Sequence, residues 1–290
     1  MNVTIMGLGL IGSSLAYQLK NSGCRVTACA RRRETLDKAQ ELKIIDYGYL
    51  EADMALAVLN VDLIVVALPI ELIVDRVIEI DKYLQQKTVV IDVGSTKQYI
   101  VEKISGCKLR FVDFIGGHPM AGSDKVGLDN YIKDLFRDKP FIFTYDKIEQ
   151  KAETLILELC GFLGAKYLKM SAVAHDEAVA GVSHLPYLLA VTLYNVFLME
   201  RDKYSKIASS GFKDTSRVAH SDPLWGVSIS ITNKLNILEK LDKAETIIGE
   251  IKKAIVNDNI EKLLSYLNVD KQEISSNKIN LVKKLINVYD

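Results

Sequence analysis

One histidine in this chain stands where an imidazole could do acid–base work. Gly116-Gly117-His118-Pro119-Met120-Ala121-Gly122-Ser123-Asp124 follows a β-branched, strand-like run at residues 110–114. Imidazole titrates close to neutral pH, so His118, at a strand tip between glycines and a proline, is the best candidate for a general base. A second loop, Asp92-Val93-Gly94-Ser95-Thr96-Lys97, follows the strand-like run 88–92. Ser95 is expected to hydrogen-bond the His118 ring and fix its orientation. Ser183-His184-Leu185-Pro186 places another histidine at an apolar helix start, where it could be interior packing or part of a site. Gly211-Phe212-Lys213-Asp214-Thr215-Ser216-Arg217 offers a guanidinium that is either surface charge or, in a cleft, a two-pronged clamp for a substrate carboxylate. His175 and His220 read as structural.

A different chemistry opens the chain. Gly7-Leu8-Gly9-Leu10-Ile11-Gly12 follows the first strand-like run and leads into Ser13-Ser14-Leu15-Ala16. In a dinucleotide fold the first glycine permits the turn, the second lets a pyrophosphate approach, and the third allows helix and strand to pack closely. The helix N-terminus then offers unpaired N–H groups to the phosphates. An NAD site usually has Asp or Glu at the end of the second strand; here the chain reads Ala28-Cys29-Ala30-Arg31-Arg32-Arg33. A missing acid and paired guanidinium groups favour the 2′-phosphate of NADP, with NAD the alternative. The expected cofactor lining is Gly7, Gly9, Leu10, Ile11, Gly12, Ala30, Arg31 and Arg32, with Leu68 and Pro69 at the end of the run 62–68.

The elements that must position these residues change character along the chain. Runs at 3–6, 25–29, 62–68, 88–92, 110–114 and 141–145 are short and rich in Val, Ile and Phe, as strands buried on both faces of a parallel sheet are. Amphipathic stretches at 13–22, 34–42 and 70–83 lie between them. This alternation predicts an α/β fold, a Rossmann-type doubly wound sheet over 1–170. Beyond Ser171 helical patterns take over, at 176–199, 224–241, 245–266 and from 272. Residues 171–290 are expected to be an all-helical substrate and dimerisation domain, because several wide apolar stripes there need a partner, most simply a second copy.

Composition narrows the rest. The 290 residues are 49% apolar and 26% charged, a globular balance with room for two domains. Lys+Arg and Asp+Glu number 37 each, and zero net charge argues against nucleic acid as the main partner. No apolar run reaches the ~18–20 residues of a membrane span. The amino terminus lacks a basic, cleavable leader, and the four cysteines lack metal or disulfide spacing. A cytoplasmic protein with buried thiols and no bound metal is expected.

GLGLIGSSLA, DVGSTK, GGHPMAGSDKVG, SHLPYLLA and GFKDTSRVAHSDP, in this order, resemble the prephenate/arogenate dehydrogenases of tyrosine biosynthesis. The resemblance runs from Val3 to about Trp225 by motif. It implies NAD(P)-dependent oxidative decarboxylation of prephenate to 4-hydroxyphenylpyruvate, or of arogenate to tyrosine. In that reading His118 takes the proton of the ring hydroxyl, Ser95 assists, Arg217 holds a substrate carboxylate, and His184 stands at the substrate and nicotinamide side. Ser123, Asp124 and Lys213 line the cleft. Asp124 stands where the family often has Glu, and an acid there could favour the ammonium of arogenate. The stretch after Pro223 is one residue shorter than the family pattern and lacks its acid after Trp225. The chain ends at Asp290 with no ligand-sensing module appended, so feedback inhibition is expected to act at the active site. Other readings are a hydroxyacid dehydrogenase or imine reductase of similar plan, or a non-catalytic NADP-binding module.

Overall fold

The computed structural model describes residues 1–123, 125 and 127–286. Eight strands form one sheet in the order β3-β2-β1-β4-β5-β6-β7-β8. They are β1 (Asn2–Met6), β2 (Arg25–Ala30), β3 (Tyr47–Leu50), β4 (Leu63–Val66), β5 (Thr88–Asp92), β6 (Val112–Pro119), β7 (Pro140–Thr144) and β8 (Lys166–Lys169). Helices α1 (Leu10–Asn21), α2 (Arg33–Glu41), α3 (Met54–Ala57), α4 (Ile70–Tyr83), α5 (Gln98–Ser105) and α6 (Gln150–Leu163) connect them. Val3, Ile5, Val65 and Ile91 point to one face and pack with Leu15 and Leu19 of α1 and Ile156 and Leu159 of α6. Met6, Ile64, Val66 and Val90 point to the other, against α4 and α5. Strands covered on both sides are apolar throughout, which is why they lack polar alternation.

β3 and β8 fall outside the six runs the sequence suggests. Each is only four residues long and half-exposed at a sheet edge, so its hydrophobic signal is weak. β6 also runs further than expected. It pairs in parallel with β5 as far as Ile91↔Ile115, then antiparallel with β7 from Gly116↔Thr144 to Pro119↔Phe141. His118 therefore sits on the last turn of pleat of a strand, opposite Ile142, and not in a loop.

After β8 the chain is helical: α7 (Ala172–Val179), a π-helical turn at Ala180–His184, α8 (Leu185–Met199), α9 (Arg201–Tyr204), α10 (Ser210–Ser216), a 3₁₀ turn at Arg217–His220, and α11 (Pro223–Thr232). Pro186 has no N–H to offer the carbonyl four residues back, and the widened turn just before it accommodates that loss. Tyr187 and Ile229 join the core on the α4–α5 face of the sheet. The helical stretch Ala172–Met199 is 28 residues long and, by length and composition alone, apolar enough to cross a membrane. It is not an uninterrupted apolar run: Asp176 and Glu177 carry charge near its start, and His, Gly, Ser, Thr, Tyr and Asn stand among its apolar residues.

Two compact units result, Met1–Asn236 and Ile237–Asp290. The second holds most of α12 (Lys234–Val256) with α13 (Ile260–Leu267) and α14 (Ser276–Ile286). The single helices expected at 224–241 and 245–266 are each broken. Asn233 leaves helical geometry, and Asp258 takes a left-handed φ of 49° before Asn259 caps Lys262 N–H at 2.9 Å.

Candidate active site

The glycine loop folds as its spacing requires. Gly7 has φ +96°, and a Cβ there would lie 2.6 Å from the Ala67 carbonyl; a Cβ on Gly12 would lie 2.0 Å from the carbonyl of Gly7. Gly9 has open space where a side chain would be. α1 starts at Leu10 with no acid in its first turn and no side-chain cap, so its leading amides are available to an anion. Gly7, Gly9, Ala30, Arg31, Arg32, Leu68 and Pro69 all line one cleft of about 790 Å³. Leu10, Ile11 and Gly12 line an adjoining pocket of about 330 Å³ together with Ser95 and Trp225, and Gly9, Leu68 and Pro69 belong to both. One groove therefore runs from the arginines to Ser95. These features fit a dinucleotide, with the pyrophosphate at the helix start between two nucleoside pockets.

The charges around the wide cleft are mostly matched. Glu51 pairs with Arg76 at 2.8 Å, and Lys38 of α2 pairs with Asp129 on the segment after β6. Arg31 and Arg32 have no such carboxylate partner among the described residues and are exposed at the tip of β2.

At the carboxyl end of β5 a buried ion pair organises the second half of the site. Asp92 accepts from the Lys97 ammonium and from Gly94 N–H at 2.8 Å through one oxygen, and from Gly117 N–H at 3.0 Å through the other. This carboxylate ties the Ser95 loop to the residue before His118. Both charged side chains are fully buried, and burial pulls the Lys97 ammonium below the usual lysine range while Asp92 opposes that.

His118 is held from behind by a partner that composition does not reveal. Its Nδ1 lies 2.8 Å from Nε2 of His175, whose Nδ1 lies 2.7 Å from Asp176 Oδ1. The Asp176 carboxylate also accepts the Lys97 and Gln98 amides at 2.7 and 3.0 Å, at the start of α5. His175 is thus bonded through both ring nitrogens. Ser95 is not bonded to His118: its Oγ accepts the Trp225 indole N–H at 2.9 Å. Burial, reinforced by His175, Lys97 and His184, pushes the His118 pKa well below the ordinary imidazole value.

His184 stands beside this group. Asn233 donates to the Asp176 carbonyl at 2.7 Å and lies 3.2 Å from His184 Nδ1. An amide N–H facing Nδ1 makes that nitrogen the acceptor, so the neutral ring carries its proton on Nε2. Among the described residues this Nε2 is buried with no partner. Burial lowers its pKa to about 4, so the ring is neutral at pH 7. Its edge meets Trp225, which also packs against Tyr187. Asp222 caps Leu224 N–H at 2.9 Å and Pro223 opens α11, so the shortened segment still makes a sound helix start.

The remaining expected residues stand on other segments. Lys213 on α10 and Arg217 on the 3₁₀ turn are exposed. His220 packs edge-on to Tyr194, centroids 4.7 Å apart. Ser123 lies on the segment following β6, and Asp124 lies outside the described residues. Cys24, Cys29 and Cys160 are buried free thiols, as expected, whereas Cys107 is a free thiol that is only partly buried.

Comparison with known proteins places this geometry. Residues 15–168 match the family model for the nucleotide-binding domain of prephenate dehydrogenase, and residues 171–269 match the model for its dimerization domain. A prephenate dehydrogenase of Lactococcus lactis subsp. cremoris is 32% identical over 262 residues, covering 86% of this chain and 70% of the relative. The crystal structure of prephenate dehydrogenase from A. aeolicus with hydroxyphenyl propionate and NAD+ superposes with a TM-score of 0.84 at 27% identity, over 99% of this chain and 98% of that one. Synechocystis arogenate dehydrogenase superposes with a TM-score of 0.76 at 30% identity, over 93% of this chain and 99% of that one. A mostly parallel sheet with a glycine-loop groove, followed by helices that bring histidines to its edge, and matched along both parts, makes this chain a member of the prephenate dehydrogenase family.

Proposed function

We propose that the chain oxidises and decarboxylates prephenate to 4-hydroxyphenylpyruvate, with NADP preferred over NAD. The observation that carries this reading is the buried neutral pair His118 and His184, with His184 packed against Trp225, which lines the groove together with Ser95. The leading amides of α1 would hold the pyrophosphate, Arg31 and Arg32 the 2′-phosphate, and Leu68 and Pro69 an apolar wall. When bound, the nicotinamide supplies the hydride acceptor.

The chain's own side chains do the rest. His118 Nε2 takes the proton from the hydroxyl of the cyclohexadienol as the carbinol carbon gives up its hydride. Ring carboxylate leaves as CO2, its bonding pair completes the aromatic ring, and the phenolate oxygen takes the proton back from His118, so no other acid is needed. Ser95 accepts from Trp225 and keeps its own O–H to donate. The orphan N–H of His184 donates to a bound ligand, removing the ~1–3 kcal/mol penalty of a buried, unpaired donor. Arg217 is assigned to a substrate carboxylate, and Ser123, Asp124 and Lys213 to the cleft around the substrate. The Synechocystis likeness makes arogenate the second reading.

Residues through 170 are proposed to serve nucleotide binding, and 171 onward substrate binding and pairing with a second copy, in a cytoplasmic enzyme. The decisive assay compares reduced-nucleotide formation from prephenate and from arogenate, each with NADP and NAD. Higher kcat/KM with prephenate and NADP supports the proposal, and Arg31→Ala should then erode the NADP advantage. A preference for NAD in the unmodified enzyme overturns the cofactor assignment.

A further inference from the structure

Asp176 fixes more than a helix start. Its carboxylate accepts two backbone amides and therefore presents only acceptors to its neighbour. His175 Nδ1, 2.7 Å away, must then carry a hydrogen, which leaves Nε2 of neutral His175 as the acceptor. His118 Nδ1, 2.8 Å from that nitrogen, must in turn be the donor, and the lone pair of His118 falls on Nε2. We propose that His175 and Asp176 are positioning residues behind the base, setting the tautomer of His118 and stabilising the imidazolium formed when it accepts the substrate's hydroxyl proton. The inference rests on the assignment of His118 as base.

The proton balance is simple. The substrate O–H bond breaks and an Nε2–H bond forms on His118, while the hydride leaves with its electron pair for the nicotinamide. The positive charge on His118 is then met through Nδ1–H and His175 by a carboxylate, with no second proton transfer required. Such help is needed because the other charged neighbour of His118 is the Lys97 ammonium, whose own counter-ion is Asp92, and His184 faces it as a neutral ring. Asp176 is the anion connected to His118 by hydrogen bonds. A cap for α5 alone would need only the carboxylate; the intervening buried imidazole links it to the base.

Asp176→Asn separates the roles. Asparagine keeps an oxygen for the α5 amides but loses the charge, and its NH2 can donate to His175 and reverse the tautomers. The expected result is a fall in kcat of ~10²–10⁴, with KM for prephenate and Kd for NADP within about twofold. The acid limb of the kcat–pH profile should move to lower pH by about one unit, because a less stabilised imidazolium is a weaker base. His175→Gln is the second variant, expected to lose ~10–10²-fold in kcat with the same direction of shift. If Asp176→Asn fails to bind NADP, His175→Gln alone decides. Unchanged kcat, or a loss with the acid limb in place, overturns the relay. His118→Ala separates the two readings: if it retains activity the base assignment fails, and if it is inactive while Asp176→Asn works normally only the relay fails.

Discussion

His118 serves as a base only while neutral, and its surroundings keep it so. Burial and nearby positive groups hold its pKa well below the ordinary 6.5, so activity should persist as pH falls past that value and decline only at more acidic pH. Replacing it with alanine should lower kcat by ~10²–10⁴ with NADP affinity unchanged, as measured by steady-state rates and a binding titration. His184 makes a stability prediction instead. Unfolded, its ring titrates near 6.5; folded, near 4. Between these values the unfolded chain binds the extra proton, so the contribution is complete above pH 6.5 and disappears as pH falls to 4. It amounts to roughly 3 kcal/mol, and urea titrations of the parent and His184→Gln across this range should show a flatter profile for the variant. The glycines and arginines of the nucleotide groove were legible because each acts within a few residues of its own strand. The His175–Asp176 pair was not, since 57 residues separate His118 from its partner and no local pattern links them.

At the scale of elements, polar residues decide where helices and strands stop. Asn233 ends α11 because its side chain is committed to the Asp176 carbonyl and His184. Asn233→Leu should join α11 to α12, leave His184 Nδ1 without its partner, and cost ~1–3 kcal/mol in a denaturation experiment. The Asp92–Lys97 pair matters more. Lys97→Met leaves a buried, uncompensated carboxylate between β5 and β6 and should cost about 3–5 kcal/mol. Sequence periodicity predicts one long helix across Asn233, since it counts apolar spacing and cannot see a side chain bonded to another element. It likewise ends β6 too early, because Gly116 and Gly117 weaken the strand signal while β7 supplies the missing partner.

For the whole molecule, apolar exposure points outward. Leu224, Val227, Ile231 and Leu235 are 69%, 54%, 70% and 81% exposed, spaced three to four residues apart along α11 and into the start of α12. A dimerization-domain match covers this stretch. Sedimentation should give twice the 32.4 kDa chain mass, and Ile231→Lys should shift it toward one chain. The apolar stripes behind this expected association were legible in the residue order, whereas the split into units at Asn236 left no mark in it. Trp225 has a practical use as well. It is the sole tryptophan, it lines the groove, and its indole N–H is tied to Ser95. Its emission is therefore an intrinsic optical gauge of occupancy: reduced nicotinamide docking beside it should quench the fluorescence by energy transfer, so each variant above can be titrated without a label.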